Sequence, residues 1–116
     1  MANSGHYVFV ASMDVDPDKE DLFNEVYDTE HIPYLMEVEG VIAVQRLRLI
    51  PFDMAIGGEI KHVEATGAPR YRAVYEVTDP AVLKSDAWAE AVERGRWATE
   101  VRPYTSNRHH EMREIM

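Results

Sequence analysis

The chain has 116 residues, 46% of them hydrophobic, which suits one folded domain. Its formal charge of −9 argues against binding to nucleic acid or to anionic lipid. It contains no cysteine, which excludes disulfides, zinc–thiolate sites and iron–sulfur clusters. Residues 1–10 lack the pattern of a signal peptide, and no apolar run approaches the ~20 residues of a membrane span. We therefore expect a cytoplasmic protein with no membrane partner.

The first half of the chain predicts a strand, a helix and a second strand. Residues 6–14 are rich in β-branched and aromatic side chains, which favour a strand. Asp16-Pro17 then provides an N-cap and a first helical residue, and apolar side chains follow at helical spacing. Pro33 is expected to stop the regular helix just upstream, leaving a short helical piece beyond it. Residues 41–50 form the second predicted strand.

The second half repeats this order after an irregular segment. Residues 51–69 contain Gly57-Gly58 and two prolines, and we interpret them as a long loop or a hairpin insertion. Residues 70–77 predict a third strand. Asp79-Pro80 and Ser85 are helix-start signals, and Gly95 suits a helix end. Residues 105–115 predict a fourth strand.

The element order is therefore β-α-β, loop, β-α-β, which is typical of an α+β, ferredoxin-like domain with a four-stranded antiparallel sheet. We interpret residues 1–116 as one such domain. The first strand is apolar on both faces, since Phe9 and Ala11 alternate with Val8 and Val10. Helices cover only one sheet face, and a strand buried on both sides needs a second cover. This predicts a homodimer in which two sheets pack face to face.

The segment Tyr27-Asp28-Thr29-Glu30-His31-Ile32-Pro33-Tyr34 carries the densest set of reactive groups. Tyr27 and His31 are four residues apart, so they share one helix face. Imidazole is the side chain best suited to proton transfer near neutral pH. We predict His31 as the acid/base and Tyr27 as its neighbour in a catalytic pocket.

These residues also carry a resemblance. The run from Phe23 to Pro33, with Glu39-Gly40-Val41 and the Arg-bearing strand after it, resembles the dimeric α/β-barrel superfamily and, within it, the EthD-like proteins. Trp88 and the closing segment from Arg102 to Ile115 fit the same pattern. The superfamily includes cofactor-free monooxygenases, polyketide cyclases, muconolactone-type isomerases, haem-dependent enzymes and proteins of no known activity. The resemblance therefore implies a fold and a pocket, and it leaves the reaction open.

Further residues are candidates for substrate contact. The arginines suit a carboxylate or enolate oxygen, and the tryptophan suits an apolar ring. Strand alternation lets only one of the two adjacent histidines of the last strand, His109 and His110, face the helices, and the sequence leaves open which one does. The predicted substrate-binding residues are Tyr34, Arg48, Trp88, Arg102 and His109.

No metal site is predicted, because a non-haem metal needs three well-placed groups and the two adjacent histidines face opposite ways. Haem or a non-haem metal stays an alternative, and the primary expectation is an enzyme without a cofactor.

Three functional hypotheses follow. The first is a small pathway enzyme that performs proton-transfer chemistry (isomerisation, cyclisation, dehydration or decarboxylation) on an apolar or aromatic metabolite. The second is a cofactor-independent monooxygenase acting on a phenolic substrate. The third is a non-catalytic accessory or binding protein of a degradation pathway.

Overall fold

The computed structural model describes residues 6–116; residues 1–5, which formed part of the segment inspected for a targeting signal, lie outside this range. The strands are β1 (Tyr7–Val15), β2 (Val41–Arg48), β3 (Phe52–Ile56), β4 (Glu59–Val63), β5 (Tyr71–Val77) and β6 (Thr105–Glu114). The α-helices are α1 (Glu20–Val26), α2 (Ile32–Met36) and α3 (Asp86–Ala91). Within the described range, no helix is long and apolar enough to cross a membrane.

Four strands form one antiparallel sheet in the order β2-β5-β1-β6. Both central strands, β1 and β5, come from different halves of the chain, as the split β-α-β arrangement requires. The α+β, ferredoxin-like prediction with a four-stranded antiparallel sheet is confirmed. The helices lie against one face of this sheet, where the core is strongly aromatic and includes Phe23, Tyr71, Tyr75 and Trp97.

The helical backbone continues through the position where Pro33 was predicted to stop it, whereas the short helical piece expected beyond Pro33 is present as α2. After α1, the segment Tyr27–His31 continues as a π-helix, and α2 follows without a break. The Ile32 N–H donates to the Tyr27 carbonyl, a wider turn than the α-helical one. Pro33 then lies in the first turn of α2, where a missing N–H costs nothing. The wide turn therefore lets the chain carry a proline inside a continuous helical region.

Residues 51–69 contain a separate hairpin, β3–β4. Gly57 and Gly58 form its two-residue turn, and both have positive φ, of 63° and 81°. This is the turn geometry that suits the twist of a hairpin. Every residue of β3 and β4 is exposed, so the hairpin projects from the sheet. The described chain accordingly measures 51 × 46 × 20 Å.

The second helical region begins with the predicted caps. Asp79 accepts a hydrogen bond from the Ala81 N–H at 2.7 Å, and Ser85 accepts one from the Trp88 N–H at 3.2 Å. Gly95 has φ of 70° and ends this region. A second π-helix, Trp97–Val101, follows and had not been predicted.

An ion pair links the two helical regions at the surface, where the Arg94 guanidinium lies 3.4 Å from the Glu37 carboxylate.

The other face of the sheet carries no helix. On β1, Val10 and Ser12 are buried on this face. The Ser12 hydroxyl accepts a hydrogen bond from the Arg72 guanidinium at 3.0 Å. Val8 and Val74 are half-buried, and Leu47 on β2 is exposed. This face is apolar along its centre and polar along β6, where Arg113 and Glu111 form an ion pair.

Candidate functional site

A cavity of about 230 Å³ lies between the helix-covered face of the sheet and the two helical regions. Its lining is mostly apolar and aromatic, with Phe9, Met13, Leu35 and Trp88 among the contributors. The polar groups that reach it are His31, Tyr27, Tyr75, Arg102, Arg108 and His110. A cavity of this kind selects small apolar or aromatic molecules and orients them through a few polar contacts.

His31 ends the first π-helix and is 5% exposed. Its ring stacks on Trp97 with 4.3 Å between the centroids and 21° between the planes. Tyr27 meets the same ring edge-on at 5.0 Å. The two π-helices thus place the predicted catalytic histidine between two aromatic side chains. The Nδ1 atom of His31 is buried and, among residues 6–116, has no hydrogen-bond partner.

Burial lowers the pKa of His31 to about 3, and the positive charge of Arg102 acts in the same direction. The ring is therefore uncharged at neutral pH. In this form it can accept a proton, but it cannot act as an acid, which would require the imidazolium form. The lowered pKa of His31 supports the base half of the predicted acid/base role and not the acid half.

Tyr27 and Tyr75 join hydroxyl to hydroxyl at 2.6 Å inside the protein. Burial raises the pKa of Tyr27 to about 12 and that of Tyr75 well above its usual value, so both phenols stay protonated. One O–H is used between the two oxygens, whichever tyrosine donates. The other O–H remains available to an acceptor in the cavity.

Two arginines reach the cavity in different states. Arg102 donates to both carboxylate oxygens of Glu93, at 3.1 and 2.9 Å, and to the Val92 carbonyl at 2.9 Å. Its charge is largely matched by Glu93. The ion-paired arginines of the described chain are Arg46, Arg70, Arg94, Arg96, Arg102 and Arg113. Arg108 is not among them, although it lines the cavity.

The structure brings together four of the predicted site residues: His31, Tyr27, Trp88 and Arg102. The other three lie elsewhere.

Tyr34 is half-buried beside Gly95, under the Arg94 guanidinium at 4.3 Å. Arg48 lines a separate surface depression with Leu47.

The assignment of His109 to the cavity was wrong. His109 pairs across the ladder with Ser12, on the face that carries no helix, and contacts Glu111. His110 pairs with Ala11 and lines the cavity, with its ring 5.7 Å from Phe9. Burial lowers the pKa of His110, so this ring also favours the neutral form.

Arg108 is the functional candidate that sequence reasoning missed. The signal was the alternation in β6, since Arg108, His110 and Met112 are two residues apart and share a face. Using that signal requires the strand register, which only the structure gives. The described residues contain no cluster of three histidine, aspartate or glutamate side chains that could hold a metal ion.

Comparison with known proteins gives likeness in structure but not in sequence. No protein-family model matches the chain, and no curated protein sequence matches it.

An ethyl tert-butyl ether D (EthD) family protein from Bacillus halodurans superposes with a TM-score of 0.60 at 12% identity, covering 95% of this chain and 99% of the other. The haem degrader MhuD from Mycobacterium tuberculosis, crystallised with two haems in its active site, gives 0.56 at 16%, covering 95% of each chain. A conserved protein from Methanosarcina mazei gives 0.55 at 15%, covering 99% and 98%. The chain thus has the fold of the EthD family protein and of MhuD, and the expected resemblance is confirmed at the level of the fold.

Proposed function

We propose that the protein is a small enzyme that takes an apolar or aromatic metabolite into the His31 cavity and removes a proton from it. The observation that carries this proposal is the uncharged, buried imidazole in an aromatic-lined cavity. A base of this kind accepts a proton from a phenol, an enol or a carbon next to a carbonyl. Isomerisation, cyclisation, dehydration and decarboxylation all use such a step.

The surroundings of His31 make proton transfer depend on the ligand. With a pKa of about 3, His31 alone is a weak base. A negative charge that develops on a bound oxygen raises the pKa of a neighbouring imidazole, because the imidazolium and the oxyanion attract each other in a poorly hydrated cavity. The free O–H of the Tyr27–Tyr75 pair stabilises the same oxygen by donating a hydrogen bond to it. Cofactor-independent oxygenation of a phenol begins with the same proton removal, and this geometry supports it equally.

We also propose that the functional form is a homodimer joined through the sheet face that carries no helix. Val8, Val10, Val74 and Leu47 give that face an apolar centre in an acidic protein. Central strands with apolar side chains on both faces are stabilised when a second layer covers them.

A non-catalytic binding protein is the second candidate, and one observation favours it. Catalytic histidines are commonly oriented by a hydrogen bond to the ring nitrogen that does not react. The buried Nδ1 of His31 has no such partner within the described chain. The cavity then binds its ligand through the neutral ring without moving a proton.

The surroundings of His31 do not suit it as the ligand of a haem, the group that MhuD holds. A ligating histidine usually donates its second ring N–H to a carbonyl or carboxylate, and the described residues offer His31 Nδ1 none. The cavity of about 230 Å³ is also smaller than the pockets of about 300–1,000 Å³ that hold drug-sized molecules. We therefore route no step through haem.

The test uses 4-nitrophenol, whose phenolate absorbs visible light. The pH is kept below the pKa of free 4-nitrophenol, so that the unbound compound stays protonated. Binding is followed separately by quenching of the fluorescence of the two tryptophans, Trp88 and Trp97, which both line the cavity. Proton transfer to His31 predicts an increase in phenolate absorbance on binding to the wild type, its loss in His31→Gln and its retention in His109→Gln, the control on the other sheet face. Binding without phenolate formation refutes the enzyme proposal and favours the binding protein.

A further inference from the structure

We propose that Arg108 forms an anion subsite at the opening of the His31 cavity, and that the ligand is an aromatic monocarboxylate. This inference rests on the proposed function of the same cavity and adds the chemical class of its ligand. Three features of the described residues support it: Arg108 has no ion-pair partner, a β-bulge positions its side chain, and the rest of the chain is acidic.

Arg108 is exposed, yet it lines a cavity whose other contributors are largely buried, so it lies at the opening. Its positive charge adds to burial in lowering the pKa of His110 and opposes the rise that burial causes in the pKa of Tyr27, and both residues line the cavity. The field of this guanidinium therefore extends along the cavity. Arg102, the other arginine there, already binds Glu93 through two hydrogen bonds. Arg108 is left as the group available to a carboxylate, which a guanidinium can bind with two parallel N–H donors.

A bulge in β6 positions Arg108. His109 pairs with Ser12 and Ser106 pairs with Asp14, so Asn107 and Arg108 together oppose Met13. Such bulges re-aim a side chain and occur beside binding sites. Asn107 takes a left-handed conformation with φ of 51°, and its side-chain amide donates to the Asp14 carboxylate at 3.0 Å. Asparagine tolerates this conformation better than most residues.

The negative net charge of the chain disfavours anion binding away from Arg108. A protein with a formal charge of −9 repels anions over most of its surface. An unmatched arginine at the opening of an apolar cavity is the local exception. One cation and an aromatic lining suit a ring that bears one negative group, with His31 and the tyrosine pair left to contact an oxygen at the far end.

The experiment compares 4-hydroxybenzoate with 4-hydroxybenzamide, its uncharged isostere, by isothermal titration calorimetry on the full chain. The proposal predicts that Arg108→Gln weakens benzoate binding at least about tenfold, or ~1.4 kcal/mol, and leaves benzamide binding within about twofold. Arg108→Lys keeps the charge and restores part of the loss. Arg94→Gln removes the same charge at an exposed position that does not line the cavity and is expected to change neither affinity.

Other outcomes overturn the proposal in distinguishable ways. If the wild type binds the amide and Arg108→Gln leaves benzoate binding unchanged, or weakens both ligands equally, the anion subsite is refuted while the aromatic cavity stands. If the wild type binds neither ligand, the anion subsite and the proposed function both fail.

Discussion

Replacing His31 by glutamine is expected to remove an acid sensitivity from the protein. The pKa of His31 is about 3 in the folded chain and about 6.5 when the ring is exposed to water. Between these two pH values the unfolded state binds more protons than the folded state. The free energy of unfolding therefore falls as the pH falls from 6.5 towards 3, and this loss is absent above pH 6.5.

The size of the effect follows from the same values. A pH of 5 lies about 1.5 pH units below the pKa of 6.5 that the ring has in the unfolded chain. One pH unit corresponds to about 1.4 kcal/mol, so the free energy of unfolding falls by about 2 kcal/mol. At pH 7 it is close to zero. Glu30 and Glu93 have pKa values lowered by hydrogen bonds from Arg96 and Arg102, respectively, so they act below pH 4.5 and leave the window from pH 5 to 7 clear.

The assay is urea unfolding of the wild type and His31→Gln at pH 7, 6 and 5, at one fixed protein concentration. The wild type is expected to lose about 2 kcal/mol more than the variant between pH 7 and 5. The lowered pKa of His110 acts equally on both proteins and cancels in this difference. Parallel pH profiles would show that His31 is hydrated in the folded protein and is not the neutral, desolvated base that the proposed function requires.

Two further predictions concern the surroundings of the cavity. Tyr27→Phe and Tyr75→Phe each leave one buried hydroxyl with no partner and are expected to cost about 1–3 kcal/mol in urea unfolding, while the double variant costs clearly less than the sum; additive losses would contradict the hydroxyl pair. Gly95 has φ of 70°, and Gly95→Ala places a Cβ 2.5 Å from a Glu30 carboxylate oxygen. Gly57→Ala is the control, because Gly57 has φ of 63° and its added Cβ meets no atom within 4 Å. The loss of stability in Gly95→Ala is expected to exceed that in Gly57→Ala by about 1–3 kcal/mol. Equal losses would show that only backbone strain matters at Gly95.

Local signals were sufficient for most of the fold. Alternation, Asp-Pro starts and the caps at Asp79 and Ser85 gave the strands and the second helical region, because each depends on residues a few positions apart. Pro33 misled because a wide π-turn upstream removes the hydrogen bond that a proline would break. No local sequence pattern predicts this π-turn.

The candidate site was predictable only in part for a related reason. His31 and Tyr27 belong to one helical face, which spacing reveals. His110 and Arg108 enter through the pairing of β6 with β1, and adjacent residues of a strand differ only in the register of that pairing. Trp97 reaches His31 from the far end of the chain, a contact that no local pattern encodes.

The helical stretch that bears His31 contains one residue more than an α-helix of the same angular extent. A five-residue π-turn advances the helix by nearly the same angle as four α-helical residues, so removing Thr29 would return the segment to 3.6 residues per turn and leave the helices on either side in nearly the same orientation. Tyr27 and His31 would then be three residues apart and would still share a face. The loss of one residue would therefore change the local spacing of these two rings more than the packing of the helices around them.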